Sequence, residues 1–542
     1  MYRVKQESVS CTLRDGIRLD ADVYRPQSNE SFPILLMRQP YGRKIASTVV
    51  YAHPIWYASQ GYIVVIQDVR GRGTSQGKFN LFTNEIEDGF DTINWLSNFP
   101  GSTGNIGMYG FSYQGMTQLF AASSQPKALK TICPAMVAYD LYHDWGYENG
   151  AFCLQTNLGW AIQLAAETAK LQRDNIAFSK LHQASQNLPL SDPIIAYPDL
   201  MQEYATDSFY HDWINHPYFD EYWSNLSPKT LIDKLDLPML HIGGWFDPYL
   251  RGTINLYNAM KSRSNYPQNL LIGPWGHIPW GSKLGSQNYT KAAISFVDKY
   301  QIDWFDHFLK GKEIDYLSSQ PISLFEMGSN RWQYSQSWTT TAHKNYYISS
   351  QGLANVQEDN GQLIDTIPDT NIEDIIIHDP WRPVPSLGGH ASIPSGSFDR
   401  SQLDTRFDIL TYTSEQLKEN LSISGTPSIE IYCTADTTSF DICAVLSEVK
   451  TDGKVYNFSQ GYARINANKL PITIPLQPTC MQIKKDSCIR LSLSGACFPA
   501  YTLNTGTGKT ANEEQLIDAQ IITIKVWSKS ENITKIILPI DN

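Results

Sequence analysis

The chain has 542 residues, of which 42% are hydrophobic and 18% are charged, and its formal net charge is -11. Such a chain is too long for one hydrophobic core, so we predict two or three domains. The acidic balance argues against nucleic acid and membrane surfaces as partners, because both attract basic patches. No run of residues is apolar enough to span a bilayer, and the start Met1-Tyr2-Arg3 leads into no apolar signal core, which favours a cytoplasmic location.

The eight cysteine residues form neither a Cys-x-x-Cys pair nor the Cys/His spacing of a zinc site. Scattered thiols in a chain without an export signal are expected to be reduced and mostly buried, with a structural disulfide as the less favoured alternative. We predict a protein that uses no cofactor and no metal.

Strand and helix patterns alternate over the first part of the chain. A strong hairpin turn signal, Asp15-Gly16, lies between alternating runs at residues 9–13 and 17–24. The patterns that follow are apolar strands at residues 32–37 and 61–67 and helices at residues 46–59 and 84–97. Strands that alternate with helices predict a mostly parallel, doubly wound sheet, so the predicted fold class is α/β.

A serine between glycines follows the next strand pattern. The apolar run at residues 104–111 leads to Ser112, and a helix-prone run at residues 116–122 comes after it. Strand, sharp turn and helix around one serine is the layout of a nucleophile elbow, in which glycines make room for a serine on a strained turn. The second glycine of that motif usually stands two residues after the serine, whereas here Gln114 holds this place and Gly115 follows. Ser112 is the candidate nucleophile, and a glycine-rich turn without chemistry is the alternative.

The pattern changes after a strand at residues 129–134. Residues 138–227 show little strand signal and many helix formers, which predicts a helical insert over one end of the sheet, where loops lengthen without disturbing the core. The sheet resumes at residues 237–244 and 269–273 and closes with an amphipathic helix at residues 293–310. From residue 321 onward, short alternating strands between turn signals predict a β-sandwich or jelly roll.

Two later strand ends carry candidate partners for the serine. Acyl transfer by a serine requires a base that takes its proton and an acid that orients that base. In elbow-containing folds, acid and histidine follow the serine in that order, each just past the end of a strand. Asp247 follows one resumed strand and His277 follows the next, whereas most of the 11 histidine residues fall elsewhere. We therefore predict a triad of Ser112, Asp247 and His277, with a structural histidine at the strand end as the alternative.

The segments around these residues resemble motifs of the bacterial cocaine esterase and X-Pro dipeptidyl-peptidase family, often labelled CocE/NonD. Residues 110–115 are similar to its G-x-S-Y-x-G elbow. Further similar segments lie at residues 38–41, 67–73, 244–247, 273–277, 379–389, 438–441 and 498–506. The resemblance therefore covers nearly the whole chain.

This resemblance implies an α/β-hydrolase core, an inserted helical cap and a C-terminal jelly roll. The implied boundaries are 1–137 and 228–317 for the two parts of the core, 138–227 for the cap and 318–542 for the jelly roll. In this family the oxyanion hole is a tyrosine hydroxyl together with the backbone N–H after the nucleophile, and those roles fall here on Tyr41 and Tyr113. For Tyr41, a packing role is the alternative.

The resemblance also bears on the substrate. In the α-amino-acid ester hydrolases of this family, a carboxylate cluster that holds the substrate ammonium includes the second and third residues after the catalytic acid, which are Tyr249 and Leu250 here. An amine-selecting pocket of that type is not expected unless an acidic residue at the start of the insert takes over, namely Asp140, Asp144 or Glu148. The aromatic residues that would line an apolar acyl or aryl site, or else be core residues, are Trp160, Trp245, Tyr249 and Trp275.

The sequence thus predicts a serine hydrolase that acts on a small-molecule ester or an activated amide. An X-Pro dipeptidyl aminopeptidase acting on short peptides is the alternative, less favoured because the chain starts almost at the first strand, without the extra N-terminal domain of longer family members. A jelly-roll module that binds glycans or proteins, with an inactive core, is the alternative from another class. The sequence leaves a homodimer open.

Overall fold

The N-terminal hairpin and the strands after it form the first half of a large sheet. The computed structural model describes residues 1–44, 48–338, 342–369, 371–466, 470–529 and 531–541. In the first part of the chain the strands are β1 (Val4–Thr12), β2 (Arg18–Pro26), β3 (Phe32–Gln39), β4 (Ile63–Asp68), β5 (Ser102–Phe111) and β6 (Leu129–Ala135). The helices between them are α1 (Pro54–Ser59), α2 (Glu85–Ser97) and α3 (Tyr113–Ser123).

The predicted hairpin is confirmed, and one predicted helix is too long. Strands β1 and β2 pair antiparallel, with Thr12 opposite Arg18 across the Asp15-Gly16 turn. The helix expected at residues 46–59 begins only at Pro54. Residues 46 and 47 of the predicted helix lie outside the described part of the chain. Proline fits the first position of a helix, where its missing N–H costs nothing, but it disfavours helical geometry in the residue before it.

The predicted helical insert follows β6. It opens with one turn of π-helix at Tyr142–Gly146 and a short hairpin of β7 (Tyr147–Glu148) and β8 (Ala151–Phe152). The helices that follow are α4 (Leu154–Leu171), α5 (Asn175–Gln186), α6 (Asp199–Tyr204), α7 (Phe209–Asn215), α8 (Glu221–Leu226) and α9 (Pro228–Leu231). The insert therefore lies in the chain between two strands of the same sheet.

The sheet resumes where the sequence predicts it. The strands of this part are β9 (Met239–Phe246), β10 (Gln268–Gly276), β11 (Lys283–Leu284), β12 (Gln287–Asn288), β13 (Ile322–Glu326) and β14 (Arg331–Ser335). The helices are α10 (Leu250–Arg263), a 3₁₀ turn at Lys291–Ala293, α11 (Val297–Lys310) and α12 (Asp315–Ser319).

Ten strands make one mixed sheet in the order β1-β2-β4-β3-β5-β6-β9-β10-β13-β14. Its interior from β4 to β13 is parallel, whereas β1, β2 and β14 add antiparallel at the edges. Strands β13 and β14, expected at the start of the β-rich region, thus belong to this sheet. The reason is that β13 is buried along its length and pairs with β10, with Leu270 opposite Ile322.

Helices cover both faces of this sheet. Along β3, Ile34 and Leu36 point into the core that contains α3 and the insert, and Leu35 and Met37 point into the core that contains α1 and α11. This alternation is what a parallel sheet buried on both faces requires. None of the helices in the described ranges has the length and apolar character to cross a bilayer.

The C-terminal part is rich in β-structure, as predicted. The strands among its described residues are β15 (Ala342–Ser349), β16 (Gln362–Ile364), β17 (Ile372–His378), β18 (Ile409–Ser414), β19 (Leu421–Gly425), β20 (Ser428–Ala435), β21 (Phe440–Val449), β22 (Val455–Ile465), β23 (Ile472–Pro475), β24 (Thr479–Ile483), β25 (Cys488–Ser494), β26 (Ile522–Ser528) and β27 (Lys535–Ile540). Buried and exposed residues alternate strictly along β17, so this strand has one face on the core and one in solvent. Short 3₁₀ turns at Leu403–Thr405 and Leu516–Asp518 lie in the connections.

Candidate active site

The candidate nucleophile, acid and histidine all follow parallel strands of the ten-stranded sheet. Ser112 follows β5, Asp247 follows β9 and His277 follows β10, with β6 between β5 and β9. Tyr41 follows β3, which neighbours β5 on its other side. Because the carboxyl ends of parallel strands meet at one edge of a sheet, these four residues share that edge.

Ser112 sits on a strained turn. Its backbone has φ 59° and ψ -127°, and it directly precedes the first residue of α3. A positive φ is costly for a residue with a side chain and is held only where the surroundings impose it. A Cβ on Gly110 would lie 2.4 Å from the Cβ of Gln114, and one on Gly115 would lie 2.4 Å from Val137. Both glycines are therefore required for the close packing of this turn, even though the second stands one position later than usual.

Asp247 and His277 form a hydrogen-bonded pair. His277 Nδ1 lies 2.8 Å from Asp247 Oδ1. Asp247 is fully buried, and the side chain of His277 is 28% exposed. Burial raises the pKa of the Asp247 carboxyl, and its hydrogen bond with His277 opposes this rise. The carboxylate acceptor assigns the ring proton to Nδ1 and leaves Nε2 as the basic nitrogen.

The imidazole of His277 lies between two aromatic rings. One belongs to Phe111, the residue before Ser112, with ring centroids 5.3 Å apart. The other belongs to Tyr249, whose ring meets the imidazole edge-on at 5.1 Å. The first contact brings the histidine to the serine turn, and the second gives it an aromatic neighbour on the other side.

The hydroxyl of Tyr41 lies at the serine. Trp160 Nε1 donates a hydrogen bond of 3.0 Å to the Tyr41 oxygen. Burial of the hydroxyl raises the pKa of Tyr41 to about 12, although hydrogen bonds from Trp160 and Ser112 oppose the rise. Tyr41 therefore keeps its proton at neutral pH and can donate it in a hydrogen bond.

Tyr113 offers its backbone rather than its side chain. Its hydroxyl donates a 2.7 Å hydrogen bond to Glu85, which in turn forms a buried 2.7 Å ion pair with Arg38. This hydrogen bond ties the ring to the start of α2. The backbone N–H of Tyr113 stands at the first position of α3, where helix N–H groups have no partner within the helix.

Two of the four aromatic residues predicted for the pocket reach this edge. Trp160 packs on Trp145 at 5.3 Å between ring centroids, and Trp145 stacks on Tyr249 at 3.9 Å. These three rings, which we call the aromatic wall, connect the Tyr41 hydroxyl to the His277 imidazole. The sequence reasoning missed Trp145, because no strand end or motif spacing marks it.

Trp245 and Trp275 do not join the aromatic wall. Trp245 is buried and donates its indole N–H to the carbonyl of Phe325 at 2.7 Å. Trp275 is buried and donates to the carbonyl of Ala293 at 2.8 Å. Both rings fill hydrophobic cores, so the alternative of core residues holds for these two and the prediction that they line a substrate pocket is wrong.

The acidic residues at the start of the insert have different surroundings. Asp140 pairs with His143 at 3.1 Å and with Lys229 at 3.4 Å. Glu148 pairs with Arg251 and with His390. Asp144 lines a small cavity with Trp145 and Tyr249, and burial raises its pKa to about 6 although two backbone N–H groups oppose the rise.

Two family models match separate parts of the chain. The model described as X-Pro dipeptidyl-peptidase (S15 family) matches residues 15–279. The model described as X-Pro dipeptidyl-peptidase C-terminal non-catalytic domain matches residues 317–531. Together they include every residue of the candidate active site.

Similar proteins match over almost the full length. A cocaine esterase from Rhodococcus sp. (strain MB1 Bresler) is 28% identical, and the match covers 98% of both chains. The crystal structure of an aminopeptidase from a marine sediment archaeon (Thaumarchaeota archaeon) has a TM-score of 0.84 at 22% identity, covering 100% of this chain and 97% of that one. The structure of an α-amino acid ester hydrolase has a TM-score of 0.80 at 22% identity, covering 99% and 97%. The two structures share the fold of this chain.

Proposed function

Because the chain belongs to the cocaine esterase and X-Pro dipeptidyl-peptidase family of serine hydrolases, we propose that it hydrolyses ester or activated amide bonds through Ser112, His277 and Asp247. The observation that carries this proposal is the 2.8 Å bond between His277 and Asp247, at the same sheet edge as the strained Ser112. A serine, an acid and a histidine in this chain order are typical of elbow-containing hydrolases, and acyl transfer needs these three groups together.

In the proposed reaction, Ser112 Oγ attacks the carbonyl carbon of the substrate while His277 Nε2 accepts the hydroxyl proton. Asp247 holds the other ring nitrogen and stabilises the imidazolium that forms. The imidazolium then gives its proton to the leaving alcohol or amine, which departs and leaves an acyl group on the serine. Water, deprotonated by His277, attacks this ester and releases the acid, and the proton returns to Ser112.

The negative charge that forms on the carbonyl oxygen during both attacks must be stabilised by hydrogen-bond donors. We assign this role to the Tyr41 hydroxyl and the Tyr113 backbone N–H. Tyr41 is supported by its hydrogen bonds with Trp160 and Ser112, and Tyr113 by its place at the start of α3. Donors held in place before the reaction stabilise the oxyanion without reorganisation.

We propose that the chain has the domain arrangement of this family. The insert at residues 138–227 acts as a cap over the serine, and the C-terminal region is a jelly roll. The aromatic wall of Trp145, Trp160 and Tyr249 favours a substrate with an apolar or aryl group, and the full-length similarity to a cocaine esterase favours an ester.

A dipeptidyl peptidase is the second candidate, and Asp144 favours it. Its carboxylate lines the cavity beside Tyr249 and accepts hydrogen bonds from the N–H groups of Tyr139 and Asp140 and from Asn255. Among the described residues it forms no ion pair, and a substrate ammonium would supply that charge. Asp140 and Glu148 are already engaged by Lys229 and Arg251. A short peptide is then the substrate in place of an ester.

Labelling and hydrolysis assays test these candidates together. A fluorophosphonate probe should label the protein at Ser112, and Ser112→Ala should abolish both labelling and hydrolysis. Short-chain 4-nitrophenyl esters should be hydrolysed faster than glycyl-prolyl-4-nitroanilide. Hydrolysis confined to the anilide would establish the peptidase instead, and no labelling at all would favour a binding protein with an inactive core.

A further inference from the structure

A glutamine of the C-terminal region reaches the loop of the candidate acid. Gln477 lies between β23 and β24, and only 2% of its surface is exposed. Its Nε2 donates a hydrogen bond of 2.8 Å to the backbone carbonyl of Asp247. The two residues are separated by 230 positions in the sequence, so this bond joins two distant parts of the fold.

Gln477 is itself fixed on both sides. Its backbone N–H donates to the carbonyl of Gln460 at 2.8 Å, and its carbonyl accepts from the hydroxyl of Ser459 at 2.7 Å. Both partners belong to β22, a long strand of the C-terminal sheet. The backbone of Gln477 is therefore held in place on both sides. A side chain that positions another group needs such support.

The turn that receives this bond has weaker support of its own. The Asp247 N–H donates to the Gly244 carbonyl at 3.0 Å, and the Asp247 carbonyl accepts from the N–H of Leu250 at 3.3 Å. The bond from Gln477 is the shorter of the two at that carbonyl. Removing it leaves a fully buried carbonyl with only the longer bond, which favours a shift of the turn.

We propose that Gln477 is a positioning residue for catalysis, which holds the Asp247 turn so that the carboxylate keeps its bond to His277. This proposal rests on the proposed function. It gives the C-terminal region, described in its family model as non-catalytic, a part in the reaction. Gln477 acts through Asp247 and takes no part in bond making or breaking.

The proposal is tested with Gln477→Met, which keeps the length of the side chain and removes the donor. Turnover of a 4-nitrophenyl ester should fall about tenfold with KM unchanged, because a small misplacement of a catalytic group slows the chemical step more than binding. A looser bond to Asp247 stabilises the imidazolium less, so the acidic midpoint of the pH–kcat/KM profile should move to lower pH.

The control is Thr479→Val, two residues away on β24. Its buried hydroxyl has no hydrogen-bond partner in the described part of the chain, so this variant removes a polar group without removing a bond. Turnover and the acidic midpoint should stay at their wild-type values. If Gln477→Met does not fold, Gln477→Asn replaces it, because its amide is too short to reach the Asp247 carbonyl.

Two outcomes overturn the proposal. Wild-type turnover and pH profile in a folded Gln477 variant would show that the bond is not needed for positioning. A loss of thermal stability with no shift of the acidic midpoint would show that Gln477 only holds the two regions together. Ser112→Ala is assayed alongside, and full activity in that variant would instead refute the proposed function.

Discussion

Two acid–histidine pairs, each with a buried carboxylate, have nearly the same bond length and different surroundings. Asp247 and His277 are 2.8 Å apart at the sheet edge, and Glu148 and His390 are 2.9 Å apart at the junction of the insert and the C-terminal region. The side chain of His277 is 28% exposed, whereas that of His390 is 3% exposed. Only the first histidine is open to a substrate.

The two acids also differ in what else binds them. Glu148 accepts from the Tyr501 hydroxyl at 2.5 Å, from the Tyr462 N–H at 3.1 Å and from Arg251. Burial would raise the pKa of Glu148, but Arg251 and His390 bring it down to about 2. For Asp247, burial outweighs the hydrogen bonds from His277 and from the Tyr249 N–H, and the pKa is raised.

An acid–histidine pair alone therefore does not define a catalytic site. A carboxylate surrounded by charged and hydroxyl donors, such as Glu148, stays ionised and links the insert to the C-terminal region. A carboxylate whose partners are a histidine and one backbone N–H, next to a strained serine, can stabilise that histidine when it takes up a proton.

The largest contrast is expected from removing each histidine in turn. His277→Gln should lower kcat/KM for a 4-nitrophenyl ester by about 10⁶-fold, because the base that activates the serine is lost. His390→Gln should keep turnover close to wild type and lower the melting temperature. Steady-state kinetics and thermal unfolding of both variants check this, and a similar loss of turnover in both would erase the distinction.

Tyr41→Phe should have the next largest effect. Loss of one oxyanion donor should lower kcat by about 10²- to 10³-fold, with folding intact. Near-normal turnover would remove Tyr41 from the mechanism. Circular dichroism of the variant serves as the control for folding.

Trp160→Phe should have a smaller effect of the same kind. Phenylalanine keeps a ring in the aromatic wall but loses the N–H that holds the Tyr41 hydroxyl, so kcat should fall about tenfold with little change in KM. The matched control is Trp213→Phe, which removes an indole N–H from the same aromatic cluster 6.2 Å away and should leave turnover unchanged. Equal effects on kcat would show that Trp160 acts through packing.

Glu148→Gln should change acid stability more than turnover. A carboxyl whose pKa falls to about 2 on folding adds stability that is complete above its ordinary pKa of 4.5 and is lost as the pH falls toward 2. The wild-type free energy of unfolding should therefore drop between pH 4.5 and 2, and the variant should be less stable at neutral pH but lose less over this range. Urea denaturation at several pH values measures both, with the exposed Glu419→Gln as control; parallel curves for wild type and Glu148→Gln would contradict the expectation.

Strand ends and turn signals made much of the candidate site predictable from sequence. Ser112, Asp247 and His277 each follow a strand whose apolar run and glycines are local signals, and parallel strands bring such ends together. The Asp15-Gly16 turn fixed the first hairpin in the same way. These features depend on residues that are close together in the sequence, so a single sequence is enough to recognise them.

Features that depend on distant contacts were not predictable. Nothing local distinguishes Trp245 and Trp275, which fill cores, from Trp160, which reaches the Tyr41 hydroxyl. Gln477 and His390 acquire their roles only from partners hundreds of positions away. Pattern alone also did not show which sheet the short strand β13 would join.

The place of β13 and β14 matters for anyone who shortens this protein. A cut at residue 318 would remove both strands and expose the backbone of β10, the strand that leads to His277. An unpaired, apolar sheet edge recruits other chains and promotes aggregation. A fragment that ends after Ser335 keeps β14 at the edge of the sheet, but it still lacks Gln477 and the rest of the C-terminal region that contacts the Asp247 turn.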